Sequence, residues 1–241
     1  MMLKNLKVIY EDNHLIAINK PAGLLVQGDE TGDTPLVDFV KEYIRIRYDK
    51  PGDVFLGVCH RIDRPVSGAV IFARTTKALS RMNILFRDQK IDKTYWAVVN
   101  ERPEVEFGTL EHYLWKDRER NITKALEAPS RRHPDAKFST LSYELISSQG
   151  EQHLLEVKPA TGRPHQIRAQ LAKLGTPIKG DVKYGARGGN KDQSIHLHCK
   201  KMSFVHPVLK EQIEIEAEVP NDQIWHLFEN SYAPKPKKRF R

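Results

Sequence analysis

The chain has 241 residues, with 39 Lys+Arg against 31 Asp+Glu and a formal net charge of +8. That length allows one large domain with a sizeable core, and only two cysteines, Cys59 and Cys199, exclude a disulfide scaffold and suit a reducing, cytoplasmic compartment. No apolar run is long enough for a signal peptide or a bilayer span, while the basic balance favours a polyanionic partner.

In chain order, Val8 and Tyr10 followed by Leu15, Ala17 and Asn19 alternate around the turn-forming Glu11-Asp12-Asn13, which predicts a β-hairpin closed by Lys20-Pro21-Ala22-Gly23. Thr34-Pro35 supplies an N-cap and a first-turn proline for a helix whose apolar stripe is Leu36, Phe39, Val40, Tyr43 and Ile44. Strand-like segments 54–58 and 68–74 flank a polar loop. A second helix is expected over 76–88, with Leu79, Met82, Leu85 and Phe86 inward, and then a strand over 94–99.

Further strands are predicted at 109–115, 122–127, 140–146, 154–158, 195–204 and 212–217, with a hairpin turn at Ser148-Gln149-Gly150. A third helix should start at Pro164 or His165 and stop at Gly175, and a last one should span 221–230. The pattern predicts an α+β fold in which helices and loops flank a long, mainly antiparallel mixed sheet. It reads as one elaborated domain, 1–230, followed by a basic, disordered tail, 231–241. Lys235, Lys237, Lys238, Arg239 and Arg241 hold five of the eight net charges. Two readings of the tail stand: an arm that follows phosphates through Lys237, Lys238 and Arg239, or a solubilising segment.

Two segments concentrate polar groups beside apolar runs: Cys59-His60-Arg61-Ile62-Asp63-Arg64-Pro65-Val66-Ser67-Gly68, and Ala160-Thr161-Gly162-Arg163-Pro164-His165-Gln166-Ile167-Arg168. Asp63 falls in a loop at the sheet edge, a position suited to catalysis, although a turn cap or an ion pair with Arg61 or Arg64 fits the same pattern. Tyr95 and Trp96 are adjacent on a strand, so each ring should face one side of the sheet. Cys59, His60, His196, His198, Cys199 and His206 lack the spacing of a metal motif, and no metal is expected. The segment 185–189 lacks the Gly-Lys-Ser/Thr ending of a phosphate-binding loop.

His60-Arg61-Ile62-Asp63 followed by Ser67-Gly68 resembles the catalytic motif of the RluA-type RNA pseudouridine synthases. Asn19-Lys20-Pro21-Ala22-Gly23-Leu24 is similar to that family's N-terminal motif, and Lys93-Thr94-Tyr95 to its tyrosine strand. Gly162 through Arg168, with Gly180-Asp181 and Tyr184-Gly185, resembles its arginine motif. The likeness runs in order from about Val8 to Pro207, and Val66 and Pro164 stand where members often carry Thr.

The resemblance implies the pseudouridine synthase fold with a central cleft, and isomerisation of an RNA uridine without a cofactor. Its motifs assign Asp63 as the catalytic carboxylate, Arg168 as its partner and Tyr95 as the platform for the base. Arg61 would enter the RNA where the target nucleotide leaves the stack, and His60, Lys20, Arg163 and His165 complete the expected RNA-binding set. For the two histidines, holding backbone groups is favoured over proton transfer, and Lys20 fits a phosphate contact or a turn equally well.

The implied partner is a stem-loop of ribosomal or transfer RNA, bound by a monomeric catalytic domain without an S4-type domain. Two other classes keep the same cleft: a catalytically silent RNA-binding protein, and a glycosidase that releases the base.

Overall fold

The computed structural model describes residues 6–228. The opening hairpin pairs β1 (Lys7–Glu11) with β2 (Leu15–Lys20), and Asp12 closes its turn by accepting the backbone N–H groups of His14 and Leu15, both at 2.7 Å. Helix α1 (Leu36–Arg47) buries Leu36, Val37, Val40 and Ile44. Its N-cap is Pro35 rather than Thr34, and no side chain caps it. The preceding segment does that work, because the N–H groups of Leu36 and Val37 donate to the carbonyls of Leu25 and Val26.

The 54–58 segment contributes only a two-residue strand, β3 (Gly57–Val58), whereas β4 (Ser67–Ala73) is buried along its whole length. Helix α2 (Thr76–Arg87) starts at Thr75, whose hydroxyl accepts the Ala78 N–H at 3.1 Å. Then follow β5 (Asp92–Val99), β6 (Phe107–Asp117), β7 (Ile122–Leu126), β8 (Lys137–Gln149) and β9 (Gln152–Pro159). Helix α3 (Gln166–Lys173) precedes β10 (Leu197–Val205) and β11 (Gln212–Glu216). The helix expected over 221–230 is a single turn, α4 (Gln223–His226), capped by Asp222; 229 and 230 lie outside the described residues.

These strands form one sheet in the order β1-β2-β4-β10-β5-β9-β8-β6-β7, with β11 on β10 and β3 on β4. Among the described residues the β4–β10 ladder is parallel and the others are antiparallel, so the sheet is mixed and mainly antiparallel. Tyr95 and Trp96 do face opposite sides. Trp96 packs with Val98, Leu154, Trp225 and Phe228 in a small cluster under α4, while Tyr95 borders the main core.

One backbone approach fixes where the Asp63 loop meets the sheet. Gly68 pairs with Cys199 across the parallel ladder at φ +116°, and a Cβ there would lie 2.4 Å from the Cys199 carbonyl oxygen and 2.5 Å from its nitrogen. Any other residue would push β4 from β10 five positions after Asp63. Beside it, the buried Ser67 hydroxyl bonds His198 Nδ1 at 2.8 Å, and His198 Nε2 lies 3.2 Å from the Ala217 carbonyl.

Candidate active site

Residues 60–66 form a loop braced from below by the 20–24 segment. The Gly23 N–H donates to the Arg64 carbonyl at 2.8 Å, and Arg64 Nε returns a bond to the Gly23 carbonyl at 3.0 Å. Lys20 is fully buried, and its ammonium donates to the carbonyls of Pro21, Leu24 and Arg64 at 3.0, 2.8 and 3.2 Å. The expected phosphate contact is corrected on this point: all three Lys20 donors are used inside the loop.

His60 is likewise turned inward. Its Nε2 accepts the Ile71 N–H at 3.0 Å and its ring stacks on Phe86 at a centroid distance of 4.8 Å, so that nitrogen anchors the loop to β4. Asp63 follows, half-exposed, on the wall of a pocket with about 510 Å³ of empty volume. Ile62, Val66, Tyr95, Ile167 and Leu197 supply its apolar surface, and Arg61, Lys93, Arg163 and His165 stand around them. Arg61 and Arg163 are exposed, as an RNA-contacting role requires.

Arg168 joins the two motif segments. Its Nη1 donates to Asp63 Oδ2 at 2.9 Å, while Nε and Nη2 form a fork on Asp181 at 2.7 and 2.8 Å. The Arg168 and Asp181 side chains are 6% and 1% exposed, so this is a buried pair reaching out to a half-exposed carboxylate. Burial works against the guanidinium charge, but Asp181 first and Asp63 second raise its pKa and keep it cationic. Its face lies 4.8 Å from the Tyr184 ring centroid.

Tyr184 also steadies His165, whose Nδ1 shares a 2.7 Å hydrogen bond with the Tyr184 hydroxyl. His165 caps α3 from the left-handed region, φ +53°, a conformation that costs about 1 kcal/mol or more outside glycine. This posture places Nε2 3.9 Å from Asp63 Oδ2. Burial, with Arg168 and Lys116 adding to it and Asp63 opposing, lowers the His165 pKa to about 4, so the ring is neutral at neutral pH.

Tyr95 is held as a neutral phenol, because burial, and then Cys199 and Asp63, raise its pKa well above the usual value. Four residues to which the sequence reading assigned no role shape the site. Asp181 and Tyr184 hold Arg168. Gln166 accepts the Arg163 N–H at 3.0 Å and the Thr161 hydroxyl at 2.7 Å, folding the 161–163 loop. Lys116, at the end of β6, has its ammonium 3.5 Å from His165 Nε2. Of these, Gln166, Asp181 and Tyr184 left a sequence signal, as parts of the arginine motif, and Lys116 left none.

The histidines give the fold a defined acid response. Burial pulls His60 and His198 down to about 3, from an ordinary 6.5. The unfolded chain therefore takes up protons below pH 6.5 that these folded rings refuse, and the stability they allow is lost as pH falls from 6.5 toward 3. Each ring is expected to contribute a slope of about 1.4 kcal/mol per pH unit there. Urea denaturation across that range should show His198→Gln losing one such increment; a variant slope equal to that of the wild type would refute the assignment.

Among the described residues, no three His, Cys, Asp or Glu side chains come together as a metal set, and no helix is long and apolar enough to cross a membrane. Lys237, Lys238 and Arg239 lie outside the described residues.

The family model described as RNA pseudouridylate synthase matches residues 14–173. The chain is 33% identical to tRNA pseudouridine synthase C of Vibrio vulnificus (strain CMCP6), over 95% of this chain and 96% of that protein. It is 30% identical to ribosomal large subunit pseudouridine synthase C of Vibrio cholerae (serotype O1, strain El Tor Inaba N16961), over 87% of this chain and 64% of that one. In fold it is similar to the solved structure of human RNA pseudouridylate synthase domain containing 4, with a TM-score of 0.77, 24% identity and 94% of each chain covered. The chain that brings Arg168 onto Asp63 thus belongs to the RNA pseudouridylate synthase family, isomerases that act on uridine in RNA.

Proposed function

We propose that this chain converts a uridine extruded from a transfer RNA stem-loop into pseudouridine, with Asp63 as the catalytic group. The observation that carries the reading is the 2.9 Å contact from a buried, doubly paired Arg168 to the Asp63 carboxylate in an open pocket that Tyr95 also lines. Tyr95 offers that base a stacking surface, Arg61 and Arg163 stand at the exposed rim, and Asp63 acts on the sugar-to-base linkage. In the reaction the N1–C1′ bond breaks, a C5–C1′ bond forms, the C5 proton leaves and N1 gains one.

Transfer RNA is favoured over ribosomal RNA because the relative named for it is matched along 96% of its length, against 64% for the one named for the large subunit. The cysteine usage supports a cytoplasmic setting. Mapping pseudouridine in transfer and ribosomal RNA from cells with and without the protein tests the reading. The expected result is the loss of one or a few transfer RNA sites, restored by the wild-type chain. Unchanged maps, together with tight RNA binding, would favour a silent binding protein, and release of free uracil by the purified chain would favour a glycosidase.

A further inference from the structure

Lys93 and Pro159 belong both to the catalytic pocket and to an adjoining groove, so the two are continuous. The groove forms where β5 and β9 part: their ladder starts at the Tyr95–Val157 pair, and the segment before Tyr95 is left to pair with β10 alone. Lys158 and Lys201 line it, each already set against a carboxylate, Glu156 and Glu214 respectively, at 2.5 and 3.1 Å.

Lys93 differs from both. It is half-buried, and among the described residues its ammonium has one contact, the Thr161 carbonyl at 3.5 Å, and no ion pair. An ammonium carries three donors, and with one set on Thr161 the others remain for an anion at the junction of the two cavities. Lys93 and Tyr95 also project from the same face of β5, about 6.6 Å apart along the strand. A base stacked on Tyr95 thus brings its own backbone to the Lys93 ammonium, at the mouth of a groove lined by Lys158 and Lys201 as well as by the carboxylates of Asp92 and Glu214.

We propose that this groove is the track of the RNA strand adjoining the flipped uridine, with Lys93 holding the phosphodiester next to the target nucleotide and the neighbouring nucleotide lying between Lys158 and Lys201. The proposal rests on the functional reading above, but its test reads binding without turnover. Unfractionated transfer RNA is titrated against Asp63→Asn and Asp63→Asn/Lys93→Gln proteins over a range of salt concentrations.

The expected result is roughly tenfold weaker binding on losing Lys93, since a charge-assisted bond is removed, and a salt slope shallower by about 0.7. Lys93→Arg should restore most of both, and Lys201→Gln should show a smaller loss, with unfolding midpoints unchanged. Equal affinity and slope for the two proteins would overturn the proposal. A second arm uses a synthetic stem-loop spanning the mapped uridine, with an uncharged methylphosphonate at the adjoining linkage. Its effect should be absent in the Lys93→Gln protein, and additive losses would overturn the assignment of that phosphate. A wild-type chain that forms no pseudouridine but keeps the Lys93-dependent slope would refute the isomerase and leave the groove standing.

Discussion

Asp63→Asn is expected to lower pseudouridine formation by on the order of 10⁴-fold, as loss of a central catalytic group does, while RNA affinity stays within about threefold. Asparagine keeps the shape of the side chain and an oxygen that can accept the Arg168 Nη1 donor, so the loop should remain in place. What it lacks is the charge and the lone-pair basicity needed to attack, stabilise or deprotonate. Arg168 does not become an orphaned buried cation in this variant, because its fork on Asp181 is intact. The mutation therefore separates chemistry from folding more cleanly than most buried-charge substitutions. Single-turnover conversion of the mapped RNA, beside filter binding, measures both quantities; an Asn variant that turns over at the wild-type rate would rule out Asp63 as the catalytic group.

Arg168→Lys should have the next largest effect, although it conserves charge. The native guanidinium directs three donors at two carboxylates, and an ammonium on a flexible stem cannot reproduce the planar fork on Asp181 while still reaching Asp63. Turnover is expected to fall by on the order of 10²-fold, the usual effect of losing one preorganised donor, with little change in RNA affinity. Stability should drop as well, by about 3 kcal/mol, since the 1% exposed Asp181 loses its bidentate partner. Denaturation curves and single-turnover rates read the two effects separately. Unchanged turnover with reduced stability would leave Arg168 a structural role only.

The sequence made some of this site legible and hid the rest for identifiable reasons. Asp63, Arg168 and Tyr95 stand in short motifs whose order along the chain can be read without a structure, and strand alternation alone separates Tyr95 from Trp96. Lys20 was ambiguous because a lysine on a turn normally reaches water; three backbone carbonyls converging on one ammonium are a tertiary fact. The same holds for the fork on Asp181, which comes from a loop 13 positions beyond Arg168 with no periodicity to announce it. For α1, the cap passed from Thr34 to the carbonyls of Leu25 and Val26, an exchange that local propensity does not encode. Lys93 lay inside the tyrosine motif, yet its significance depends on β5 and β9 separating beside it.

The Asp63–Arg168–Asp181 group sets two carboxylates against one guanidinium, and it lies inside a mouth edged by Arg61, Arg163 and Lys93. A nucleotide has the opposite arrangement, an anionic end and an uncharged base. With the Lys116 ammonium also acting on Asp63, the bottom is nearly balanced in charge and suits an uncharged ring, whereas the cationic rim suits a phosphate. On the proposed function, the two levels of the cleft therefore differ in polarity in the same sense as the two ends of a nucleotide.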